Sequence, residues 1–173
     1  MELENFLSQK RSAILKRWFD LVLETYPAQT ARLLKKQKDP FNNPVGHTIF
    51  QALEGLYEAI LQGTQSDKVS TFLDNLIRVR AVQNFSPSQA IGFIFPLKKI
   101  IREEMESEIQ ENRTSEEFFI IESRIDQLAL QSFDIYMRCR EKLYELRANE
   151  VRNRCFRLLE RADLICGIPE QQA

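Results

Sequence analysis

TSEEFFIIESRIDQLALQSFDIYMRCREKLYELRANEVRNRCFRLLERADLIC, residues 114–166, runs for about fifty residues without a proline or a glycine, several times the length of an average helix. Thr114-Ser115-Glu116-Glu117 opens it with the pattern of a capping box, and Gly167 and Pro169 close it. A helix of this length must leave a compact domain or pack along something else. Its apolar pattern predicts a division. Phe118, Ile121, Ile125, Leu128, Ser132, Ile135 or Tyr136, Cys139 and Leu143 form one stripe, suited to packing on a body. From Tyr144 a second stripe begins, shifted by one residue: Tyr144, Ala148, Val151, Cys155, Leu158, Ala162 and Ile165. Its steps alternate four and three, which is a heptad seam and a candidate partner interface. Arg147, Arg154 and Arg161 flank it on one side and Arg152 on the other. In a parallel homodimer Arg147 would face Arg152 of the second copy, and Phe156 and Leu159 widen the apolar side. The pattern therefore favours a broader helical interface over a simple zipper, with folding back onto the same domain as the alternative.

Upstream, helical periodicity predicts five more helices and no strand. They cover about Leu3–Thr25, Pro27–Lys36, Val45–Gln62, Ser66 or Asp67–Gln83, and Ser86–Glu111. Tyr26-Pro27 ends the first, because a residue before proline avoids the α region. KDPFNNPVG, residues 38–46, is the clearest loop, with Phe41 expected to fold inward. Val69, Phe72, Leu73, Leu76, Ile77 and Val79 are expected to supply the apolar side of the fourth helix. Ser86-Pro87 starts the fifth as N-cap and first-turn proline, and Pro96 is expected to kink it. The expected fold is an all-α bundle of about six helices. The expected division is a body over residues 1–143, a helical extension over 144–166 and a disordered tail over 167–173.

Composition narrows the function. With 43% hydrophobic residues, 173 residues can bury a core without a disulfide or metal staple. The net charge of -1 gives no basic excess of the kind phosphate-backbone binders show, so nucleic acid is not an expected partner. No stretch reaches the ~20 apolar residues a membrane helix needs, and Glu2 and Glu4 sit where a signal peptide would be basic. The expected location is cytoplasmic, without membrane insertion. Cys139, Cys155 and Cys166 fall in one helix, neighbouring pairs more than ~15 Å apart along its axis, so they read as reduced structural thiols.

Catalytic and cofactor chemistry finds little support. His47 is the only histidine, so Glu-x-x-His metal pairs on two helices are excluded, and no P-loop, GxGxxG or HExxH occurs. No catalytic residue, metal ligand or cofactor is expected. The polar group that stands out is Asp74, Arg78 and Arg80, followed by Ser86. Asp74 and Arg78, four apart, can pair on one helix face, and Arg80 points roughly the other way. One reading is an ion pair bracing the corner between helices. The other is a small anionic or carboxylate ligand held by an arginine beside the helix start at Ser86.

WFDLVLETYP (18–27), DPFNNPVG (39–46) and DNLIRVRAVQNFSPSQAIGFIFPLKK (74–99) resemble the N-terminal sensory domain of RsbRD-type regulators. The resemblance covers about residues 3–144 and is carried by Trp18, Tyr26, Asp39, Phe41, Asn43, Pro44, Asp74, Arg78, Phe85, Ser86 and Ala90. In that family the domain occurs alone or before histidine-kinase or STAS modules. More distant RsbR relatives have a globin-like, haem-free dimeric sensor domain. The resemblance thus implies a non-enzymatic sensory module of a sigma-factor or stress regulator, signalling through protein contacts. Standalone versions near dissimilatory sulfite-reduction genes of sulfate-reducing bacteria imply an alternative, an accessory or assembly protein of that redox complex. No ligand-binding residue transfers from the family. The expected partner is another protein or a second copy, bound through the last helix.

Overall fold

Trp18 sits at the centre of the packing, fully buried, and its indole N–H donates to the carbonyl of Phe93 at 2.7 Å. The computed structural model describes residues 2–36, 43–63, 67–83, 85–106 and 115–162. Among them are seven helices and no strand: α1 (Glu2–Glu24), α2 (Ala28–Lys36), α3 (Pro44–Gln62), α4 (Asp67–Val82), α5 (Pro87–Ile91), α6 (Pro96–Glu106) and α7 (Ser115–Arg161). The chain is an all-α bundle with a long C-terminal helix. The most extensive pairings are α4 with α7, α3 with α4, and α1 with α6. One core joins them, from Leu7, Ile14 and Trp18 of α1 through Leu53, Leu56 and Tyr57 of α3 to Ile121, Ile125 and Leu128 of α7.

The six expected helices are present, the fifth divided in two rather than kinked. Pro96 brings no N–H, so the ladder of α5 stops short of it. The chain then turns tightly: Ile94 N–H reaches Ile91, Leu97 N–H reaches Ile94 and Lys98 N–H reaches Phe95. That leaves the Phe93 carbonyl free to accept from Trp18, which fixes the break against α1. Val79, expected inward, is 38% exposed. The positions that turn in at this end of α4 are Arg80 and Ala81. Phe41, Thr114, the expected end of the fifth helix beyond Glu106, Ile165, Cys166 and the tail over 167–173 lie outside the described residues. Glu117, expected in a capping box with Thr114, accepts from the Leu3 amide at 3.0 Å and so ties α7 to the start of α1.

The ends of α3 are held by specific polar groups. Asn43 is the N-cap: its side-chain oxygen accepts from Gly46 N–H at 2.9 Å while its amide donates to the Leu34 carbonyl of α2 at 2.6 Å. A Cβ on Gly46 would run into that asparagine side chain and push it out of its capping position. At the other end Gly63 takes a left-handed conformation with φ 68°, and Arg124 of α7 donates to the Ile60 and Leu61 carbonyls at 2.7 Å each. Asn43→Ala removes the cap and leaves the Leu34 carbonyl unpaired. The expected loss is about 2 kcal/mol in urea unfolding, and Asn43→Asp, which keeps only the acceptor, should lose less. Equal stability of wild type and the alanine variant would contradict this role.

Candidate functional sites: a caged arginine and an exposed helix arm

Among the described side chains of α4, Leu73, Leu76, Ile77, Arg80 and Ala81 are the buried ones. They follow the i, i+3, i+4, i+7, i+8 series, so Arg80 occupies a core position of its helix. Its side chain is 0% exposed. One terminal nitrogen donates to the Gln89 carbonyl and the other to the Thr25 hydroxyl, each at 3.0 Å. The Thr25 hydroxyl in turn donates to the Val22 carbonyl at 2.6 Å. The rings of Tyr26, Phe85 and Phe93 lie 5.2, 5.1 and 4.6 Å from the guanidinium. Phe93 stacks on Trp18 and Tyr26 meets Phe85 edge-on.

Among the described residues no carboxylate pairs with this buried charge. The cation is held by other means. Arg80 lies in the last turn of its own helix, and its contacts reach the last carbonyls of α1 and α5. Three helix C-termini thus bring their partial negative charge to one point. The three ring faces add cation–π attraction, strongest where water is excluded. Burial still pulls the guanidinium below its ordinary value. Its Nε and the Tyr26 hydroxyl are buried without a partner in full hydrogen-bond geometry, but Tyr26 lies close enough to favour the charged guanidinium.

The four residues expected to form an anion site are not brought together. Asp74 and Arg78 pair with each other, as their spacing suggested, on the wall of an open groove of about 520 Å³ between α4 and α7. Gln131, Asp134 and Arg138 line the same groove. Ser86 is exposed, its hydroxyl accepting from the Gln89 amide in a reciprocal capping box. Arg80 faces inward, hydrogen-bonded to Gln89 and Thr25.

The corner that holds Arg80 is fastened to α7. Tyr136 donates from its hydroxyl to the Phe85 carbonyl at 2.6 Å, and Arg140 donates to the Ala81 carbonyl at 3.2 Å. Arg140 also donates to the Tyr144 hydroxyl at 2.7 Å and stacks on that ring. Beyond this point α7 leaves the body behind. Every described residue from Tyr144 to Ala162 is exposed except Asn149, which is half-buried. Tyr144, Val151 and Leu158 are 56%, 60% and 64% exposed. Ala148, Cys155 and Ala162 are exposed with them. The apolar column starts earlier than the sequence reading placed it. Leu130 and Met137 precede Tyr144 at the same seven-residue interval and are also exposed.

The N-terminal domain of rsbRD, the RsbT co-antagonist protein, matches this chain over residues 12–151. The chain belongs to the RsbRD N-terminal domain family. The match spans the whole Arg80 cage and ends at Val151, part-way along the exposed arm of this RsbRD domain. An uncharacterized protein of Archaeoglobus fulgidus is 26% identical over 141 residues, which cover 81% of this chain and 83% of that protein. No solved structure matches the RsbRD domain described here. Family membership suggests a sensory or regulatory role. Among the described residues no helix is long and apolar enough to cross a membrane.

Proposed function

We propose that this RsbRD domain is a non-enzymatic sensory and regulatory module whose state is read by another protein chain through the distal half of α7. One observation carries the reading. α7 is rooted in the core by Ile121, Ile125, Leu128, Ile135 and Tyr136, yet from Tyr144 onward it holds an apolar seam in solvent. A seam of this kind gains stability only when another surface covers it. Its root is hydrogen-bonded to the corner that encloses Arg80, so a change in packing there reaches the arm directly. Family membership supports the sensory half of the reading.

The two cysteines of the described chain report on it. Cys139 is half-buried, and burial pushes its thiol up from the ordinary value. Cys155 lies exposed in the seam. In the free protein Cys155 should therefore be alkylated faster than Cys139. A partner recovered with the intact chain from its own host should slow Cys155 by about ten-fold or more and leave Cys139 unchanged. Unprotected Cys155 in that complex would place the contact elsewhere and end this reading.

A further inference from the structure

The seam of the arm carries charge on its flanks as well as apolar groups at its centre. Arg147, Arg154 and Arg161 recur at seven-residue intervals along one edge, and Arg152 stands on the other. All four are exposed. Glu145 stands on the same edge as Arg152, seven residues before it. Glu145 is paired with Lys142, and Glu150 and Glu160 fall toward the far side of the helix by its 3.6-residue period. Glu150 reaches from that side to Arg154, so the middle arginine of the column already holds one carboxylate. The apolar strip thus has a border of three arginines on one edge and a mixed border of Glu145, Arg152 and Leu159 on the other.

This pattern discriminates among occupants. A second copy laid parallel sets Arg147 against Arg152 of that copy. A second copy whose arm lies antiparallel over this one sets the column of Arg147, Arg154 and Arg161 against the same column. Both orientations place like charges within reach across a helix pair, which opposes association. A helix with carboxylates on the edges of its own apolar stripe meets the column of Arg147, Arg154 and Arg161 along one edge and Arg152 on the other. Accepting the proposed function, we infer that the distal arm of α7 docks an amphipathic helix of a different protein, one with Asp or Glu flanking its apolar stripe at seven-residue intervals. Tyr144 to Ala162 spans about 27 Å, which accommodates roughly three heptads of such a helix. Apolar side chains of the partner cover Val151, Cys155 and Leu158, and its carboxylates reach the arginine column and Arg152. Arginine suits this task because its fork can take a carboxylate through two donors.

Two synthetic peptides of three heptads test the inference on the intact chain. Both carry Leu at the a and d positions. One has Glu at every e and g position and the other has Lys there. Fluorescence anisotropy should show the Glu peptide binding about ten-fold or more tightly than the Lys peptide at low salt, the difference shrinking at high salt. The triple variant R147E/R154E/R161E should invert the preference, with its melting temperature unchanged because those side chains lie outside the core. Val151→Ser with Leu158→Ser should weaken both peptides while leaving the ratio in favour of Glu. Equal affinity for the two peptides, preference for the Lys peptide, or no binding by either overturns the inference. So does self-association through the arm that survives the triple reversal. None of these results touches protection of Cys155 in a complex from the native host, so the two readings fail separately.

Discussion

Arg80→Ala should lower the stability of the body by about 4 kcal/mol and its melting temperature by roughly 10 °C. The substitution empties a space between Tyr26, Phe85 and Phe93, and it strips the Gln89 carbonyl and the Thr25 hydroxyl of their donor. Each of those losses has a known scale: cavity formation costs a few kcal/mol, and each stranded polar group adds about one to three. Against them stands relief of the desolvation that burial imposes on the cation, which keeps the net effect below the simple sum. Arg80→Met separates these contributions. It fills most of the space but carries no donor, so it should fall between wild type and alanine. Thermal unfolding followed by circular dichroism reads all three proteins. An alanine variant within about 1 kcal/mol of wild type would show that the cage is not a structural keystone.

Ending the chain after Leu143 should have the opposite profile. The body should unfold within about 1 kcal/mol of the intact protein, because the residues removed are exposed and contribute little buried area. Recovery of the partner should be lost altogether. The described side-chain contacts between the body side and the removed segment are those of Arg140 with Tyr144 and of Lys142 with Glu145, both at the cut itself. Co-purification from the native host, with melting temperature as the control, checks both halves of the expectation. A shortened chain that unfolds far more easily, or that keeps its partner, would relocate the docking surface to the body.

Much of this architecture can be read from local sequence. Tyr26-Pro27, Ser86-Pro87 and Gly63 mark helix ends, and the structure places ends within a residue or two of each. The two stripes of α7 were legible because their phases differ: Ile121 to Leu143 turns toward the body, and Tyr144 onward turns away. The division of the fifth helix was not. Pro96 signals a disturbance, but whether a helix bends or breaks depends on what can donate to the freed carbonyl, and that is Trp18, far away in sequence. Arg80 was legible only in part for a related reason. Residue type points to a ligand-holding or bracing group, and it is the spacing of Leu73, Leu76, Ile77 and Arg80 that assigns it to the core. Periodicity carried the signal, and chemistry hid it until three rings and three helix ends supplied an environment that tolerates a buried cation. The early start of the exposed column at Leu130 was equally available in its seven-residue spacing, but it is masked by the stronger stripe on the opposite side of the same helix.

The hydrogen bonds from Tyr136 to Phe85 and from Arg140 to Ala81 lie where α7 emerges, and they make that point a fulcrum. From Arg140 to Arg161 the rod is about 30 Å long. A tilt of only about 10° at the fulcrum sweeps its tip through roughly 5 Å, nearly one helical turn. A rearrangement at the α4–α5 corner too small to disturb the core would thus be magnified into a displacement that a bound neighbour senses as a change of register.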